Sequence, residues 1–223
     1  MELAMIFLGI LLIPCILFTI INYIYNNYKD VGNKKKLSGF EVARKILDEA
    51  GLDNVYIVEV KTNLNDHYDY GHKVLRLSSD IFHGESLTAA VVAAKIASYA
   101  IQDKECYSFM KFRFSVNRVI TFVNYIAYIL FVVALCLGDS SFLDISNLLL
   151  MFVLLFYIVT LPVEFNACKA AKKYLNKYDI LTNKELEESE KLFKVFPYTS
   201  IMSVITCISS LVSEIMYNIQ KRG

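Results

Sequence analysis

VITFVNYIAYILFVVALCLGDSSFLDISNLLLMFVLLFYIVTLPV, residues 119–163, decides the fold. It holds two apolar runs, Val119–Gly138 and Ile145–Val163, with no charged side chain in either. Each is long enough to cross the roughly 30 Å of bilayer hydrocarbon as a helix. The link between them, Asp139-Ser140-Ser141-Phe142-Leu143-Asp144, is so short that the two helices must run antiparallel. A membrane hairpin is therefore the centre of the chain.

Two further blocks lie outside it. Leu3 to Tyr28 carries no charge, exceeds the 7–15 apolar residues of a signal-peptide core, and lacks both a basic n-region and a small-residue cleavage site. It reads as a retained anchor, bent at Pro14. Phe196 to Ser213 is richer in Ser and Thr, begins at Pro197 and runs into Glu214, so it either spans or packs against the other helices. The whole composition agrees: of 223 residues 56% are hydrophobic and 20% charged, with a mean hydropathy of +0.43. That excludes an ordinary soluble globule. The net charge of +1 gives no general attraction to nucleic acid.

The basic residues set the expected orientation. Lys29, Lys34, Lys35 and Lys36 follow the first block, Lys111, Arg113 and Arg118 precede the hairpin, and Lys169, Lys172, Lys173 and Lys177 follow it. The hairpin's own link has no Lys or Arg. By the positive-inside rule these flanks are cytosolic. The expected organisation is an anchor over 1–28, a cytosolic α+β domain over 29–118, the hairpin over 119–163, cytosolic helices over 164–195, and a C-terminal spanning or membrane-packed helix over 196–223. The expected fold is thus a mainly α membrane protein of the cell membrane, with three to four transmembrane helices and a small cytosolic sheet. No charge sits near the centre of any block, against an ion-conducting path. The five cysteines, Cys15, Cys106, Cys136, Cys168 and Cys207, include no C-x-x-C pair, so they read as structural thiols.

Within residues 29–118, GFEVARKILDEA from Gly39 to Ala50 puts Phe40, Val42, Ala43, Ile46 and Leu47 at helical spacing and stops at Gly51. Val55–Val60 and Lys73–Ser78 have strand patterns, and the turn-rich Asn63–Gly71 between them suggests a hairpin or a small sheet with a long loop. Ser86 opens an Ala-rich helix, SLTAAVVAAKIASYAIQ, ending at Gln102. Glu164–Tyr178 continues the third apolar block as a helix. Thr182 caps another over Lys184–Val195, whose mixed charges form a solvated face.

The order of these parts, with Ala43-Arg44-Lys45-Ile46-Leu47, Asp66-His67-Tyr68-Asp69, Ala100-Ile101-Gln102 and Leu161-Pro162-Val163-Glu164-Phe165-Asn166-Ala167, resembles the bacterial membrane-bound neutral zinc metallopeptidases of the YugP-like family. That resemblance implies an H-E-x-G-H motif directly before A-I-Q, two imidazoles on one helical face binding zinc while the Glu activates the bound water. Here the five positions read Lys95-Ile96-Ala97-Ser98-Tyr99. By the resemblance, Lys95 and Tyr99 stand where the two His would be, Ile96 replaces the Glu, and Glu164 retains the third ligand position. The histidines are His67, His72 and His83, and no two are four residues apart. An ammonium at a ligand position repels a divalent ion. The expectation is a catalytically inactive member without metal or cofactor, acting as a scaffold or binding partner for another membrane protein or an active relative. Lys95 and Glu164 are expected to form an ion pair, with the Tyr99 hydroxyl on the same carboxylate.

Two enzymatic alternatives stand beside this. Glu164 and Cys168, four apart, with Cys106 or a histidine, would be a relocated metal site. Ser98 and Lys95, three apart, would be a serine hydrolase pair in which a desolvated lysine serves as base. In the bland reading Ser98 is a small residue at a tight helix contact, and His67 with Asp66 and Asp69 belongs to a loop that fastens the turn to the helix.

Overall fold

The structure is a computed structural model and describes residues 16, 19–20, 22–61 and 66–222. The anchor expected over 1–28 lies largely outside the described residues. The rest of the chain is mostly helical with one small sheet, and it divides into two compact units. One is built on Phe112–Leu161 with the chain from Thr199 on, the other on Ile20–Lys111 with Pro162–Tyr198.

In the second unit α1 (Gly39–Glu49) begins with a capping box: Ser38 Oγ accepts from the Glu41 N–H, and Glu41 Oε2 accepts from the Ser38 N–H at 2.7 Å. It ends at Gly51, whose φ of 63° suits a residue without Cβ, and the Leu52 N–H closes back onto the Leu47 carbonyl. Arg44 then donates to the Leu52 and Val55 carbonyls and pairs with Asp48. That fixes where β1 (Tyr56–Val60) starts.

The sheet differs from a simple hairpin. β2 (His67–Asp69) forms inside the stretch read as turn, pairs antiparallel with β3 (Val74–Ser78), and leaves β1 to pair with β3 in parallel, giving the order β1-β3-β2. The reason is local. Tyr68 is buried at 2% exposure and its hydroxyl donates to Asp103 Oδ2 at 2.7 Å, so the turn-rich stretch is held extended from below. Asp66 accepts from the backbone and hydroxyl of Ser78, and Asp69 accepts from His72 and Arg76. The turn is thus fastened to the following helix through Tyr68, and through Lys73, which also pairs with Asp103.

After the short α2 (Ser79–Phe82), Ser86 caps α3 (Leu87–Lys104), its Oγ accepting from the Ala89 N–H at 3.1 Å. From Leu87 to Gln102 every α3 residue except Lys95 is buried. A helix apolar all round belongs inside a protein, and its alanines let neighbouring elements come close.

The other unit rests on long helices: α4 (Ser108–Leu137), α5 (Ser140–Lys177) and, after α6 (Asn183–Glu188), α7 (Glu190–Arg222). Ile120, Ala127, Leu150, Val153, Phe156, Cys207 and Leu211 form its core. Ser146 Oγ donates to the Ala127 carbonyl and Cys207 Sγ to that of Leu150, so these polar groups are satisfied within the bundle. Val119, Phe122, Tyr125, Ile129, Leu148, Phe152 and Leu155 are exposed, as lipid-facing side chains are. Three stretches, Ser108–Ala134, Ser141–Lys177 and Asn183–Ser209, are long and apolar enough to cross a membrane.

Two boundaries differ from expectation. The helix expected over Lys184–Val195 breaks at Ser189, which caps α6, and Pro197 lies inside α7 instead of opening a separate helix. Pro162 likewise lies inside α5. Each proline removes one helical hydrogen bond, but the surrounding turns keep the helix continuous.

Candidate functional site

Lys95, near the middle of α3, and Glu164, two residues beyond Pro162 on α5, belong to the same compact unit. Lys95 Nζ lies 2.9 Å from Glu164 Oε2, with the two side chains only 12% and 4% exposed. Around the ammonium stand the Phe196 ring, centroid at 4.5 Å, and the Tyr99 ring, centroid at 5.7 Å. Both distances suit cation–π attraction, which strengthens where water is excluded. Burial by itself would draw the lysine's pKa down. Tyr99, the Glu164 carboxylate and Cys168 facing it outweigh that, and Lys95 is held above its ordinary range. It is therefore a fixed cation at neutral pH.

Each residue reaches this point for a sequence reason. Tyr99 is one turn after Lys95, so both share a face of α3, and Cys168 is one turn after Glu164 on α5. Phe196 comes from α7, just before Pro197. It has no spacing relation to the others and could not be found from the sequence. Ile96, also from the five-residue stretch, is buried at 4% exposure.

Ser98 does not join the group. Its hydroxyl is fully buried and donates to the Ala94 carbonyl of its own helix at 2.8 Å, the habit of a small hydroxyl in a helix interior. His67, His72 and His83 are elsewhere: His72 sits on Asp69, and His83 Nε2 is 3.3 Å from Glu59. Among the described residues no three His, Cys, Asp or Glu side chains lie close enough to hold a metal ion.

Zinc takes three or four deprotonated N, S or O donors. Here an ammonium lies against the buried Glu164 carboxylate, beside the Phe196 and Tyr99 rings, and these residues do not fit a zinc ion. What the arrangement can do is hold α3 against α5 by charge.

The chain is thus a helical membrane protein with a small sheet, a buried Ala-rich helix and a buried glutamate on the continuation of the hairpin's second helix. Residues 3–218 match the family model described as "Putative neutral zinc metallopeptidase", and the chain belongs to that family. It is 30% identical over 192 residues, 86% of its own length and 85% of the relative's, to a Bacillus subtilis (strain 168) protein described as "Putative membrane protease YugP". No solved structure matches the chain.

Proposed function

We propose that this chain is a catalytically inactive member of the metallopeptidase family, a pseudopeptidase that uses the inherited fold as a scaffold or binding partner in the membrane. The observation that carries the reading is the Lys95–Glu164 pair, 2.9 Å apart and nearly closed to solvent. Lys95 stands at the position of the motif's first histidine, Ile96 at that of its glutamate and Tyr99 at that of its second histidine. Loss of two imidazoles and the general base removes affinity and mechanism together. The partner is another membrane protein or an active relative. A Ser98–Lys95 hydrolase has no support from a serine whose hydroxyl is spent on its own helix.

The test is rescue. The combined change Lys95→His, Ile96→Glu and Tyr99→His should bind one zinc per chain through Glu164, while the unmodified protein, purified from membranes, cleaves no peptide in a chelator-sensitive way. Chelator-sensitive cleavage by the unmodified protein would overturn the proposal.

The orientation belongs to the same reading: Lys95 and Glu164 face the cytosol, on the strength of the lysines and arginines that flank the spans. Single cysteines at Ser79 and Ser140 test it with an impermeant thiol reagent on whole cells. Ser140→Cys should label and Ser79→Cys should not. The opposite pattern would invert the topology.

A further inference from the structure

We infer that a groove between α5 and α7 binds the headgroup of an anionic phospholipid. It has a volume of about 250 Å³ and is lined by Phe165, Lys169 and Lys172 from α5 and by Phe193, Lys194 and Tyr198 from α7. The two helices run in opposite directions along it. Lys172 pairs with Glu190 at one end, while Phe165 and Tyr198 mark the other.

Three observations select this occupant. The first is charge. Three lysines face one carboxylate, Glu190, which Lys172 meets directly and Lys194 only at 4.0 Å. Lys169 makes no ion pair among the described residues, so the groove keeps an excess of positive charge. A phosphodiester supplies the missing anion.

The second is depth. The apolar run of α5 ends at Val163, and at 1.5 Å per residue Lys169 follows about 9 Å further along the helix, with Lys172 about 13 Å along. The polar headgroup region outside the hydrocarbon is roughly 5–8 Å thick on each side, and a lysine can reach back several ångströms along its stem. Their ammonium groups thus fall at phosphate level.

The third is the floor. Phe165 and Tyr198 are half exposed at the end nearer the apolar run, where aromatic rings favour the glycerol and upper acyl region. A zwitterionic headgroup would bring its own ammonium against the lysines. An anionic one, of the phosphatidylglycerol type, does not.

Native mass spectrometry of the full chain in detergent, titrated with phosphatidylglycerol, phosphatidylcholine and inorganic phosphate, tests this. Phosphatidylglycerol should stay bound at least about fivefold more tightly than phosphatidylcholine, and Lys169→Gln with Lys194→Gln should weaken it about 25-fold, about fivefold per lysine lost. Lys173→Gln with Lys191→Gln removes the same charge from the same two helices outside the groove and should leave binding unchanged. Equal binding of the two lipids would overturn the inference. So would equal loss in the control pair, or displacement of the lipid by millimolar inorganic phosphate alone.

Discussion

Lys95→Met should destabilise the protein by about 3–5 kcal/mol, and Glu164→Gln by a similar amount, because each change leaves the other group buried without its counter-charge. Both side chains are nearly closed to water, at 12% and 4% exposure, so neither survivor can recover its hydration by a small movement. The double change should cost less than either alone, since two neutral groups of similar volume need no partner. A double-mutant cycle by denaturant unfolding in detergent reads this as a coupling energy, and a value within error of zero would mean that the pair does not hold α3 to α5. The pH dependence has a definite sign. The folded pKa of Lys95 is raised, so its contribution is complete below the ordinary lysine value of about 10.4 and is lost only as the pH climbs through the higher folded value. The difference between Lys95→Met and the unmodified protein should therefore stay constant from about pH 6 to 9.

The second large effect is expected at Gly39, the first residue of α1. A Cβ built there would lie 2.1 Å from the Ile81 carbonyl oxygen and 3.1 Å from its carbonyl carbon, and both are backbone atoms that no rotamer change can move. Elsewhere in a helix Gly→Ala gains roughly 0.5–1 kcal/mol. Here α1 and α2 must separate by about an ångström, which also strains the bond from the Gly39 N–H to the Gly84 carbonyl, 3.0 Å long. Overpacking of this kind costs about 1–3 kcal/mol, and a contact this short lies at the upper end, so the clash wins and Gly39→Ala should lose about 2 kcal/mol net. Gly32→Ala is the control. Its Cβ would meet nothing nearer than the Glu85 carbonyl oxygen at 4.0 Å, and stability should hold within about 0.5 kcal/mol. Equal behaviour of the two variants would remove close approach as the reason for glycine at 39.

What could be read from the residues follows from how local each signal is. Ser38 and Gly51 bound α1 because capping and left-handed termination are decided within four residues. The membrane hairpin was legible because two apolar runs on a short link have one arrangement. The parallel pairing of β1 with β3 was not, since alternation marks a strand but does not name its partner. Nor was β2, where Asp, His and Tyr read as turn until the burial of Tyr68 against Asp103 is known. Pro197 misled for a related reason. A proline is a helix breaker on average, yet α7 runs on through it. At the site, Lys95 and Tyr99 follow from helical spacing, and Glu164 could be named only through the family resemblance. Phe196 arrives from a helix 32 residues further along, and only the folded chain brings it to the ammonium.

The proposal that a buried lysine–glutamate pair stands in place of a metal centre is tested most directly by elemental analysis of the unmodified protein, purified from zinc-replete cells and dialysed without chelator. Zinc far below one atom per chain is the expected result, and one tightly held zinc per chain would contradict it.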